Sequence, residues 1–347
     1  MAKQLIRLGH SMRRLRLSFV KGLDVEFIDR EQAIKRVEEW AREGMVNVQV
    51  VFGPEGCGKT AWLKQSAEIL RELGFEVVYI NPIEKEVLVE TGIEDVKKKM
   101  MSIITEASGD PWIRATWMVI DLARAIIAMG KGRLAVLVDD AFQVIGLNKA
   151  AIYVKGLLGL IEYPPRPYDV IIAVAATSEG LSRYEIGRHR WADMRPMWNI
   201  PKEGFKQLYE QIPGKKPDLE EVWKLTGGNP KILARLYANN WDVKGVTNDI
   251  MVSKKLRQFT HSLNQIERQW LWEAVDNPDT LFTRERMGLL GKLVELNLAI
   301  DDVPMREQYL WVDQPPPEAD PELGIGKYVA WQTPLHREAV RKALEEA

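Results

Sequence analysis

The stretch VVFGPEGCGKTAWLK, Val50 to Lys64, sets glycines and a proline between an apolar run and a helical one, with Lys59 and Thr60 directly behind them. NVQVVF ahead of it reads as a buried strand, and TAWLKQSAEILREL after it reads as a helix ended by Gly74. Gly53, Gly58, Lys59 and Thr60 thus satisfy G-x-x-x-x-G-K-[ST] in the strand-to-helix setting the pattern requires. Glycines let successive backbone N–H groups turn inward around an anion with no Cβ in the way, and the following helix adds its positive end. Gly53, Pro54, Glu55, Gly56, Cys57, Gly58, Lys59, Thr60 and Ala61 are therefore the expected cradle for a nucleotide's phosphates. Lys59 would reach the β- and γ-phosphates, and the Thr60 hydroxyl would sit on Mg²⁺.

Such a loop needs a carboxylate at a neighbouring strand end to hold the metal. LAVLVDD supplies one, with Asp139 as the metal partner and Asp140 placed to polarise the attacking water. The strand DVIIAVAATSEG ends in Thr177 and Ser178, hydroxyls that can sense the γ-phosphate from between the two motif strands. Guanine recognition calls for an N-K-x-D element. The one candidate, Asn148-Lys149-Ala150-Ala151, lacks the aspartate, so adenine and hence ATP/ADP is favoured.

Strands alternating with helices over residues 45 to 180 predict an α/β core with a mainly parallel sheet. Asp29 is expected to cap the helix DREQAIKRVEEWAREG, and Glu84 to Met101 reads as one charged helix. From Pro201 the strands stop and helical segments run to about Ser253. Further helices then precede two strands, NLAIDD and KYVAWQT, and a last helix from His336, the order of a winged helix. The expected division is a basic arm (1–24), an αβ core (25–200), a helical lid (201–254) and a winged-helix-like domain (255–347).

With 48 basic against 49 acidic side chains, no global charge bias announces a nucleic-acid or membrane partner. Cys57 is the single cysteine, which excludes an internal disulfide and fits a reducing, cytoplasmic setting. In the loop it is a small residue whose thiol an adjacent lysine and helix end can activate. The first 23 residues carry Arg7, Arg13, Arg14 and Arg16 and no apolar stretch, so no secretory leader is expected. The most apolar helix, near Trp112 to Met129, holds Arg114, Asp121 and Arg124, so no membrane span is expected either. Lys3, Arg7, Arg13, Arg14, Arg16 and Lys21 precede the first acidic residue, Asp24, and read as a solvated face or a phosphate-binding arm. TRERMGLLGKLVEL is only modestly basic, which gives direct DNA base readout little support.

These features together resemble the archaeal ATPases of the STAND group, relatives of the AAA+ ATPases. FIDRE (Phe27 to Glu31) is similar to the family's hhGRExE signature, with Asp29 where the pattern has glycine. LTGGNPKIL (Leu225 to Leu233) resembles its GxP motif. The resemblance implies a P-loop core, a helical lid and a winged helix, with the nucleotide between core and lid and Pro230 and Arg30 flanking the adenine. It also implies a switch timed by ATP hydrolysis, with self-association or a protein partner engaged through the winged helix. One departure is Thr177-Ser178-Glu179, where relatives of the apoptotic proteins carry an arginine; Arg183, or Arg188 and Arg190, stand in as candidate cations. Two alternatives stay open. One is a DNA-associated AAA+ ATPase resembling archaeal replication initiators, the other a module whose nucleotide is purely structural.

Overall fold

The computed structural model describes residues 13–105, 110–178, 180 and 182–347. Lys3 and Arg7 of the expected basic arm, and Glu179 after Ser178, lie outside the described residues. The described chain opens with an antiparallel hairpin, β1 (Arg16–Val20) and β2 (Leu23–Glu26), turned at Gly22 with φ of 85°. Helix α1 (Glu31–Glu43) follows two consecutive left-handed residues, Asp29 and Arg30. The expected Asp29 cap is not formed. Arg30 holds the cap position without a capping bond from its own side chain, the first-turn Ala33 N–H donates to Asp313 Oδ1 (3.3 Å), and the Asp29 carboxylate lies against Gly204 instead.

The core continues through β3 (Val48–Phe52), α2 (Lys59–Glu72), β4 (Glu76–Asn81), β5 (Glu86–Glu90), α3 (Glu94–Thr105) and α4 (Pro111–Ala128). It closes with β6 (Arg133–Asp139), α5 (Ala141–Ile145), α6 (Leu147–Glu162), β7 (Val170–Thr177), α7 (Ser182–Gly187) and β8 (Ala192–Pro196). The strands form one sheet in the order β5-β4-β6-β7-β3-β8, parallel except for the β4–β5 pair. The inner strands β3, β4, β6 and β7 read as largely apolar runs because both their faces are covered. Val50, Val136 and Ala173 pack toward α3, α4 and α6, while Val51, Leu137 and Val174 pack toward α1 and α2. β7 lies between β3 and β6, with Thr177 opposite Phe52 and Ala176 opposite Asp139, so the glycine loop and the acidic strand end open at the same sheet edge.

Residues 84–101 do not form the single helix expected of them. After a left-handed turn at Lys85, Val87, Leu88 and Val89 pair with Ile80, Tyr79 and Val78, and the helix begins only at Glu94. Apolar, largely β-branched residues between two glutamates fit an edge strand better than a helix interior.

The helical segments are α8 (Lys202–Glu210), α9 (Leu219–Thr226), α10 (Pro230–Ala238), α11 (Val243–Ser253), α12 (Leu256–Ser262), α13 (Gln265–Asp276) and α14 (Met287–Glu295). Two short strands, β9 (Ala299–Ile300) and β10 (Ala330–Trp331), pair antiparallel before α15 (Pro334–Glu345). One apolar cluster joins Ile232, Leu236 and Ile250 of α10 and α11 to Leu271, Leu290 and Val340 of α13, α14 and α15. The chain then reaches back to the sheet, where the Val312 N–H donates to Pro196 O at the end of β8 (3.1 Å).

Candidate functional site

The glycine loop leaves β3 at Gly53 and enters α2 at Lys59. Its three glycines have φ of 149°, 77° and 104°, a region that L side chains rarely adopt. A Cβ at Gly53 would collide with the Met197 carbonyl, and one at Gly56 with the Lys231 side chain. Lys59, 3% exposed, folds its ammonium over the loop, donating to Gly53 O (3.0 Å) and Pro54 O (2.9 Å). The first-turn amides of α2 have no carbonyl one turn back within the helix, which makes this end an anion site.

At the end of β6, Asp139 is fully buried. Asn81 Nδ2 donates to its Oδ2 at 2.9 Å and the Tyr79 hydroxyl at 3.3 Å, while its Oδ1 is a buried oxygen with no hydrogen-bond partner. Burial and then Asp140 push its carboxyl up to about 7, against the pull of Thr60 and Lys59. An orphaned carboxylate oxygen close to a threonine hydroxyl suits a magnesium ion, which asks few ligands of the protein and takes the rest from phosphate and water. No cluster of three His, Cys, Asp or Glu is found among the described residues, so the donor set is this sparse one. Asp140 is left-handed (φ 45°), and its Oδ1 accepts the Ser178 N–H at 2.9 Å, which orients the carboxylate.

These elements open into a cleft of about 670 Å³, within the range of small-molecule sites. Its polar end is lined by Gly56, Gly58, Lys59, Thr60, Ala61, Asn81, Asp140, Ser178 and Asn297. The other end is apolar, with Phe19, Val25, Phe27 and Ile28 from the hairpin side facing Ile200, Leu208, Pro230 and Ala234 from the helical side. RLRLSFVKG alternates like a short strand, and β1 forms within it, at the end of the segment expected as a basic arm. Its role as a wall of the cleft is not legible locally, because nothing in the alternation says what the apolar face covers. Asn81, which positions Asp139, was missed by the sequence reading.

The remaining expected site residues are placed as follows. Pro230 lines the cleft at the start of α10. Arg30, 2% exposed, borders it, but its guanidinium serves as a brace, donating to Cys57 O (2.5 Å), Trp198 O (2.9 Å) and Asp313 Oδ2 (2.7 Å). Glu55 is tied to Lys231 and Lys254; burial opposes its charge, but the two lysines outweigh it and take the carboxyl down to about 2. Cys57 is fully buried with its thiol against Met197 O (3.5 Å), away from oxidants. The Thr177 hydroxyl is buried 3.1 Å from that of Ser182, and Ser178 is the neighbour that lines the cleft. Arg183 is turned from the cleft toward the C-terminal segment, paired with the Asp301 carboxylate and donating to Asp301 O (3.0 Å) and Gly180 O (3.2 Å). Arg188 and Arg190 are exposed, and Arg188 pairs with Glu185.

A glycine loop between strand and helix, with an aspartate at a strand end one strand removed, is the arrangement of a P-loop nucleotide site. The particular branch follows from the sequence: the model of a family described as an ATPase domain predominantly from Archaea matches residues 27–236. The chain belongs to that family and is an ATP-hydrolysing enzyme. Among solved structures it is similar to Cdc6p from Pyrobaculum aerophilum (13% identity, 94% of this chain and 97% of that one, TM-score 0.40). It is similar also to the ORC2 protein of Aeropyrum pernix in its ADPNP-ADP complexes (11% identity, 94% and 97%, TM-score 0.45). A third similar structure is AMPPCP-bound DnaA from Aquifex aeolicus (14% identity, 70% and 75%, TM-score 0.37). No curated protein matches the chain. No helix among the described residues is long and apolar enough to cross a membrane.

Proposed function

We propose that this ATPase is a regulatory switch of the archaeal STAND type, with ATP or ADP held in the cleft between the αβ core and the helical segment. One observation carries the reading: the backbone of the glycine loop is gripped from outside the core. Gln332 Oε1 accepts the Glu55 N–H (2.8 Å), Asn229 Nδ2 donates to Glu55 O (3.0 Å), and the Lys231 N–H donates to Gly56 O (3.3 Å). A loop that reshapes around a different number of phosphates must therefore shift α10 and the strand leading into α15, which is how nucleotide state becomes domain position.

In this reading the loop amides and Lys59 bind the phosphates, and Thr60 and Asp139 would hold Mg²⁺. The ion supplies charge neutralisation on the phosphate oxygens. Asp140, oriented by the Ser178 N–H, accepts a hydrogen bond from the attacking water and polarises it toward the terminal phosphorus. The apolar end encloses the base. The winged-helix-like C-terminal segment is the element that moves and that would meet a second copy or a protein partner.

Lys59→Ala removes both the phosphate contact and the strap across the loop carbonyls, so calorimetry should show no ATP or ADP binding. For the wild type, X-ray scattering should differ between the ATP-loaded and ADP-loaded forms. Tight ATP binding by the variant, or superimposable scattering curves, would count against the switch.

A further inference from the structure

We propose that Asn297 contacts the terminal phosphate of a bound triphosphate, so that the C-terminal segment reads the difference between ATP and ADP within one chain. The proposal rests on the reading that the cleft holds nucleotide. Asn297 stands where α14 turns toward β9. Its own N–H donates to Val294 O (3.0 Å) and that of Leu298 to Leu293 O (2.9 Å), a helix ending that requires a left-handed residue, and φ at Asn297 is 52°. Asparagine is a common choice there, so the cap accounts for the residue type. It does not account for the direction of the carboxamide.

Asn297 Oδ1 accepts the Gly180 N–H at 3.3 Å across 117 residues of sequence, and the residue lines the cleft beside Asp140 and Ser178. Because an N–H can only be met by the carbonyl side of the amide, Nδ2 with its two donor protons occupies the remaining side. The contact is tightly built: a Cβ at Gly180 would collide with Val294, and Arg183 and Tyr184 both bind Asp301 just beyond β9. At this end Asp140 has no N–H to offer a phosphate, and the Asn81 amide already donates to Asp139. Asn297 therefore brings uncharged N–H donors to the place where the triphosphate and the diphosphate differ, on an element that belongs to the moving segment.

The test compares binding of a β,γ-imido ATP analogue and of ADP by calorimetry. Asn297→Gly keeps the left-handed corner and removes the amide; Asn297→Asp keeps the acceptor for Gly180 and replaces the donors with negative charge. For Asn297→Gly we expect about tenfold weaker binding of the imido analogue, the size of one hydrogen bond to a charged oxygen, with ADP affinity unchanged. Asn297→Asp should weaken the analogue further, again sparing ADP. Equal losses for both nucleotides, or unchanged affinities in Asn297→Asp, overturn this proposal while leaving a nucleotide-binding cleft intact. A wild-type chain that binds neither nucleotide overturns the proposal together with the reading beneath it.

Discussion

Asp29 shows how far a single residue can depart from its local pattern. It sits in a left-handed conformation where the resembling signature has glycine, and one of its carboxylate oxygens is buried without a hydrogen-bond partner. Burial, then its hydrogen bond with Glu31 and repulsion from Asp313, raise its pKa from 3.8 to about 7. Between those two values the folded chain holds a proton that the unfolded chain has released, so stability falls as pH rises through this window and stays lowered above it. Asp29→Asn keeps a side chain that tolerates the left-handed backbone and removes the titration. We expect it to raise the unfolding temperature at about pH 8 and to change it little at about pH 4, measured by calorimetry. The glycine loop, Thr60 and the two aspartates were legible because their chemistry depends on order along the chain. Arg30 was legible as a motif member, but its use as a brace depends on Cys57, Trp198 and Asp313, which no local pattern connects to it.

At the scale of elements, the buried strands and the helices were readable from periodicity, whereas the edges of the sheet were not. β5 hides in a charged segment, and β8, ADMRP, carries polar residues that pair with neighbours: Asp193 accepts from Gln49 (2.9 Å) and Asn47 (3.2 Å), and Arg195 donates to Gln49. Edge strands have only one neighbour in the sheet, so apolar content is a weaker requirement there. The β1–β2 hairpin, a separate two-stranded sheet whose first strand is legible by alternation, is a different case, since its placement is set by two glutamines elsewhere. Gln65 of α2 spans the Leu15 N–H (2.9 Å) and Arg13 O (3.0 Å), and Gln211, just after α8, spans the Glu26 N–H (2.7 Å) and Glu26 O (3.2 Å). Each carboxamide mimics a strand neighbour, fixing the hairpin as the wall of the apolar end. Gln211→Ala should raise KM for ATP by about fivefold with kcat within about twofold, because the wall serves binding and not the reacting phosphate. A fall in kcat with KM unchanged would place the hairpin's role elsewhere.

For the whole molecule, the Arg30–Asp313 pair is the ion pair that spans the most sequence among the described residues, with both side chains 2% exposed. Removing one partner leaves the other charged in a dry site, so Asp313→Ala should cost about 3–5 kcal/mol in chemical denaturation. Replacing both, Arg30→Met with Asp313→Leu, should recover much of that stability. Nucleotide affinity should nonetheless fall in the double variant, because the Cys57 carbonyl loses its Arg30 donor. The separation of these residues, 283 positions, has a consequence for biosynthesis. A ribosome completes the glycine loop and the entire sheet long before Asp313 emerges, and until then the guanidinium bracing that loop has no counter-ion. The nascent chain should thus become competent for its substrate only once Asp313 has emerged, so that an early, unbraced ATPase core does not turn over nucleotide.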